Sequence, residues 1–101
     1  MVGRLSEEKG HIFALQCLAQ LRAEGHLVTL CIAGDGPLRD SLTSDVSFLG
    51  LQDCVSFLGF VDDPQPLYRS NDLLLIPSLT EGLPLTLLEA IGYGMPIIAS
   101  N

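Results

Sequence analysis

Apolar residues in this chain recur in two rhythms that alternate from end to end. Met1-Val2-Gly3 reads as the close of a strand, and Arg4 to Gly10 as a polar loop. From His11 to Glu24, the residues Ile12, Leu15, Leu18, Ala19 and Leu21 recur at spacings of three and four. That period predicts a helix with one apolar face, and Gly25 supplies its stop. Leu27 to Ala33 is β-branched and apolar, a buried strand. Gly34-Asp35-Gly36-Pro37 is then a turn that opens a second helix, with Pro37 in its first turn. Leu38, Leu42, Val46 and Leu49 keep helical spacing, and Gly50 ends it.

Val46-Ser47-Phe48-Leu49-Gly50 recurs letter for letter as Val55-Ser56-Phe57-Leu58-Gly59. One pentapeptide does not choose its own conformation. Context predicts helix for the first copy and strand for the second, and two copies nine residues apart are too short a period for a solenoid. Asp63 is placed to cap a short helix over 64–71 whose first residue is Pro64. The run Leu73-Leu74-Leu75-Ile76 shows no alternation, as in a strand buried on both faces. Pro77 to Leu85 forms a Gly-containing loop into a helix from about Leu83 to Tyr93, with Pro84 in its first turn. Ile97-Ile98-Ala99 is a last strand.

The order βαβαβαβαβ with short connections predicts an α/β fold: a Rossmann-like doubly wound parallel sheet, one domain over 1–101. In the common winding order the first and fourth strands are neighbours, and ligands bind beyond their carboxyl ends. Arg4 and Lys9 then face the Glu81–Leu85 loop across one crevice. A helix N-terminus with free N–H groups beside two cations suits a diphosphate. A plainer reading pairs Arg4 and Lys9 with Glu7 or Glu8. Glu89, on an otherwise apolar helix, needs a partner: a ribose diol, or a cation or backbone N–H. Glu81 is either near a transferred group or a solvated acid at a helix start.

Composition narrows the choice of partner. At 48% hydrophobic and 17% charged the chain is globular. A net charge of −7 argues against nucleic acid and against a polybasic membrane patch. The three cysteines lack metal-ligand or disulfide spacing and read as reduced, core-filling thiols. No apolar run approaches the length of a membrane span. Asp62-Asp63 reads as capping, not metal binding, and His11 and His26 read as surface residues. Gly34-Asp35-Gly36-Pro37 lacks the spacing of a phosphate loop. Both ends look cut, as in a piece of a longer protein.

Four blocks carry a family resemblance. Val2-Gly3-Arg4-Leu5-Ser6-Glu7-Glu8-Lys9-Gly10 resembles the opening motif of the C-terminal domain in retaining glycosyltransferases of the GT-B fold, the large family-four group. Ile32 to Leu38 and Val55 to Val61 resemble its next two blocks, and Glu81 to Glu89 its E-x7-E motif with Glu-Gly-Leu-Pro-Leu inside. The resemblance implies a donor-binding half of a GT-B fold. It implies Arg4 and Lys9 on the donor diphosphate, stabilising the leaving nucleoside diphosphate. It implies Glu89 on the ribose, Glu81 at the donor sugar, the amides of Gly82, Leu83 and Leu85 at sugar and phosphate, and the backbone around Gly59 to Val61 near the base.

By the same likeness the donor is a UDP- or GDP-sugar, transfer retains anomeric configuration, and no metal or other cofactor is used. The acceptor, a glycan or lipid, lies in an absent N-terminal domain. The chain alone is then expected to be inactive and prone to self-association. The full protein would be cytoplasmic, with peripheral contact at the inner membrane face. The alternatives are a sugar-nucleotide epimerase or phosphorylase of the same fold, or a non-catalytic nucleotide-binding or interaction module.

Overall fold

The computed structural model describes residues 1–77 and 96–99, the last three as backbone only. Its elements are α1 (His11–Ala23), β1 (Leu30–Ala33), α2 (Arg39–Phe48), β2 (Val55–Gly59), α3 (Gln65–Ser70), β3 (Leu74–Ile76) and β4 (Ile97–Ala99), with a single 3₁₀ turn over Glu7–Lys9. β1 pairs with β2 and β3 with β4, both in parallel. Val2 bridges Ala33 in the same sense, and this bridge is what exists of the expected first strand. Between β1 and β2 the helix α2 returns the chain to the end where it began, which makes their pairing parallel.

The larger core lies between α1, α2 and the β1–β2 pair. Leu15 and Leu18 of α1 meet Ile32 of β1, Leu42 and Val46 of α2 and Val55 of β2. Leu5 belongs to the same cluster and is completely buried, so the loop before α1 is anchored at its midpoint. A smaller cluster joins Tyr68 of α3 and Leu74 of β3, with Val2 and Ile76 packed against it. Val2 therefore touches both halves: its backbone bridges β1 and its side chain packs beside β3.

The pentapeptide behaves as its context predicts. Its first copy completes α2, where Val46 is buried and Phe48 lies 89% exposed. Its second is β2, where Val55 turns into the core and Ser56 and Leu58 turn out. Asp63 Oδ1 accepts the Gln65 N–H at 3.1 Å, so it caps α3 as expected, with Pro64 already in helical conformation.

Several expectations need correction. α2 begins at Arg39, and Pro37 sits in the turn before it. The second strand starts at Leu30 because Leu27 and Val28 emerge into solvent. Leu73 is 44% exposed and outside β3, while Leu75 and Ile76 are only partly covered, so burial on both faces does not hold for that run. Of the three thiols only Cys54 is buried; Cys17 is exposed and Cys31 intermediate. His11 is not a surface residue: it is 3% exposed. No helix among the described residues is long and apolar enough to cross a membrane.

Candidate functional site

Three loops meet beyond the carboxyl ends of the parallel strands. The first follows Val2 and carries Arg4 and Lys9. The second is Gly34-Asp35-Gly36-Pro37, after β1. The third is Gly59-Phe60-Val61, after β2. Backbone bonds tie them together: Gly3 N–H to Ala33 O at 2.9 Å, Leu5 N–H to Asp35 O at 3.0 Å, and Leu38 N–H to Leu5 O at 3.0 Å. Gly34 N–H donates to Gly59 O at 2.7 Å, which joins the second loop to the third.

The Gly34–Pro37 turn has a structural task. A Cβ on Gly34 would overlap the Gly3 carbonyl oxygen. One on Gly36 would fall 2.6 Å from Leu5 O and 2.8 Å from Leu5 N. Glycine at these two places lets the turn lie directly against the backbone on either side of Arg4. With Gly3 and Leu5 both held, Arg4 projects from a fixed stretch of chain, and its own side chain is exposed.

Lys9 closes the 3₁₀ turn and is half-buried. Its N–H donates to Ser6 O at 3.1 Å. Gly10 follows at φ +73°, a left-handed conformation that costs glycine little. It has no room for a side chain either, since a Cβ would overlap the Pro77 carbonyl oxygen. The Lys9–Gly10 corner thus abuts the residue that follows β3. Glu81, Gly82, Leu83, Leu85 and Glu89, the expected opposite wall, lie outside the described residues, as do the loop and helix expected around them.

Neither Arg4 nor Lys9 forms an ion pair within 4.0 Å with Glu7 or Glu8. Among the described residues, the ion pair within 4.0 Å joins His26 to Glu24, far along the chain. Glu8 instead accepts a 2.7 Å hydrogen bond from Ser6 Oγ. That bond is the main reason its carboxyl titrates below the usual range; its own amide, Lys9 and Arg4 contribute less. Both cations at this end are therefore free of a carboxylate partner among the described residues.

Two features went unread in the sequence. His11 opens α1 directly behind Lys9. Its Nδ1 is buried without a hydrogen-bond partner among the described residues, and its pKa falls to about 4. Burial is the main cause, followed by the Met1 ammonium and Lys9. Arg39, first residue of α2, places its guanidinium 5.8 Å from the centroid of the Phe57 ring and beside Gly59. The signal for Arg39 was present: a cation in the first turn of a helix opposes the helix dipole. The described residues contain no cluster of three or more His, Cys, Asp or Glu able to hold a metal ion.

Known proteins share this arrangement. EpsF of Bacillus subtilis (strain 168), described as a glycosyltransferase, is 39% identical over 100 residues, covering 99% of this chain and 26% of its own length. The 2-deoxystreptamine glucosyltransferase of Streptomyces kanamyceticus is 37% identical, over 97% of this chain and 26% of the relative. The chain thus spans about a quarter of the length of these relatives. Among solved structures, Anabaena HepE in complex with UDP and glucose superposes with a TM-score of 0.84 at 33% identity, over 97% of this chain and 28% of that one. The pneumococcal O-GlcNAc transferase GtfA, solved with UDP and GlcNAc, gives a TM-score of 0.89 at 28% identity, over 97% and 19%. The family profile described as glycosyl transferases group 1 matches residues 1–101 without a gap at either end, and the chain belongs to that family.

Proposed function

We propose that this chain forms the donor-binding side of a retaining glycosyltransferase and holds a nucleoside-diphosphate sugar at the carboxyl ends of its strands. The observation that carries the reading is the three-loop junction around Arg4, in a fold shared with HepE, a protein solved with UDP-glucose. In this reading the two parallel pairs and the Val2 bridge belong to one doubly wound sheet. The first strand then lies between β1 and β3, half of a GT-B architecture.

Arg4 and Lys9 bind the donor diphosphate. As the sugar–phosphate bond breaks, negative charge grows on the departing diphosphate. Two fixed cations stabilise that charge more strongly in the transition state than in the ground state. The amides of Gly82, Leu83 and Leu85 assist at sugar and phosphate. Glu81 contacts the donor sugar, Glu89 the ribose diol, and the Gly59–Val61 backbone the base. No metal or other cofactor enters this scheme.

Transfer also requires an acceptor, a glycan or lipid, aligned with the donor. The curated relatives are about four times as long as the stretch they share with this chain. We therefore assign transfer to a protein of their length, and donor binding without transfer to these 101 residues. Family membership favours transfer over epimerisation or phosphorolysis on the same fold.

The test is calorimetric titration with UDP and GDP. At least one is expected to bind below millimolar concentration. Arg4→Ala combined with Lys9→Ala is expected to weaken it on the order of a hundredfold, at ~1.4 kcal/mol per lost charged hydrogen bond. Absence of binding by either nucleotide at millimolar concentration, or full binding by the double variant, contradicts the proposal.

A further inference from the structure

Arg39 is one of five cations in a chain of net charge −7, yet it makes no ion pair within 4.0 Å among the described residues. Its helix places it at the wrong end for its charge. α2 is ten residues long, and its N-terminus carries partial positive charge, which disfavours a cation. Two contacts fix the guanidinium there. The Phe57 ring lies 5.8 Å away, within cation–π range. Gly59 is also near it: a Cβ built there would have Arg39 Nη1 at 3.7 Å as its sole neighbour within 4 Å among the described residues. The space beside Gly59 at the end of β2 is otherwise open, and the Arg39 guanidinium borders it with no hydrogen-bond acceptor among the described residues. Phe60, the next residue, is an exposed aromatic at 78%.

We propose that Arg39 reads the carbonyl edge of the donor's nucleobase beside Gly59. The proposal rests on the donor-binding reading and adds a specificity-determining residue to it. A guanidinium offers paired N–H donors and no acceptor. It rewards a base edge that presents a keto oxygen, as uracil does at position 4. It leaves an amino group unpaired, as cytosine would present at the same position. A buried or half-buried donor facing a donor is the arrangement that discriminates most strongly. Phe57 holds the plane of the fork, and Gly59 lets a flat base approach it.

The test measures dissociation constants of UDP, CDP and inorganic pyrophosphate for the wild type, Arg39→Ala and Arg39→Lys, with thermal melting to check that each variant is folded. The wild type is expected to prefer UDP over CDP by tenfold or more. In both variants that ratio should fall toward one, while pyrophosphate affinity changes by less than twofold. The lysine variant keeps the charge and loses the fork, so it serves where the alanine variant is unstable. An unchanged UDP-to-CDP ratio in a folded variant overturns the assignment. So does an equal loss of UDP and pyrophosphate, which would make Arg39 a phosphate ligand, and so does a wild type indifferent to the base. A wild type that binds neither UDP nor GDP overturns the donor-binding reading itself, and the assignment with it.

Discussion

His11 illustrates how a single buried residue ties the site to the solution. Its imidazole lies behind Lys9, 3% exposed, with a pKa lowered to about 4. The unfolded chain has an ordinary histidine near 6.5. Between those values the unfolded state takes up a proton that the folded state refuses, so stability falls as pH drops from about 6.5 toward 4. The loss attributable to this residue is on the order of 2 kcal/mol at pH 5. Urea unfolding of the wild type and of His11→Phe at pH 7.5 and 5.0 checks this, and the variant's stability should depend less on pH. A surface placement for His11 was reasonable from sequence, because its position precedes the first periodic apolar residue, Ile12. Its burial is tertiary: the Met1 ammonium and Lys9 act on it electrostatically, and the Met1 neighbourhood has no trace in the local pattern. The same is true of Cys17, which sits among apolar helix residues yet faces solvent.

At the scale of elements, turn chemistry proved more informative than motif matching. Gly34-Asp35-Gly36-Pro37 fails as a phosphate loop by spacing, and its glycines instead hold the backbone of the Arg4 loop. Gly36→Ala should cost about 1–3 kcal/mol by forcing Leu5 outward, and should weaken UDP binding roughly tenfold through displacement of Arg4. Gly25→Ala is the control. Gly25 has φ +91° and open space around it, so it should cost about 1 kcal/mol of backbone strain and leave UDP binding unchanged. Denaturation curves and titrations on the two variants separate the effects. Element type was legible wherever apolar periodicity ran for ten residues or more, as in α1 and α2. It was legible even for the repeated pentapeptide, because Gly50 and the turn before β2 set each copy's context. Strand limits were not. Leu27, Val28 and Leu73 have strand-like composition, and their exposure follows from where the neighbouring strands end.

At the scale of the whole molecule, four short blocks in order identified the family, and the profile match over residues 1–101 agrees. The order of elements predicted that the Arg4–Lys9 loop faces the Glu81–Leu85 loop, which lies outside the described residues. The junction of the Arg4, Gly34 and Gly59 loops was not foreseen and rests on backbone hydrogen bonds that the element order does not encode. Arg39 escaped the reading because its place beside Phe57 and Gly59 depends on how α2 lies on β2, which spacing does not encode.

The central claim is that a nucleoside diphosphate sits at this junction. The most direct measurement is amide chemical-shift mapping of the isotopically labelled chain titrated with UDP. The account predicts shifts concentrated on Arg4–Gly10, Gly34–Gly36 and Gly59–Val61, with the opposite edge, residues 25–28 and 49–53, unmoved. Saturation with UDP that leaves the three loops unshifted, or shifts confined to that opposite edge, would contradict it.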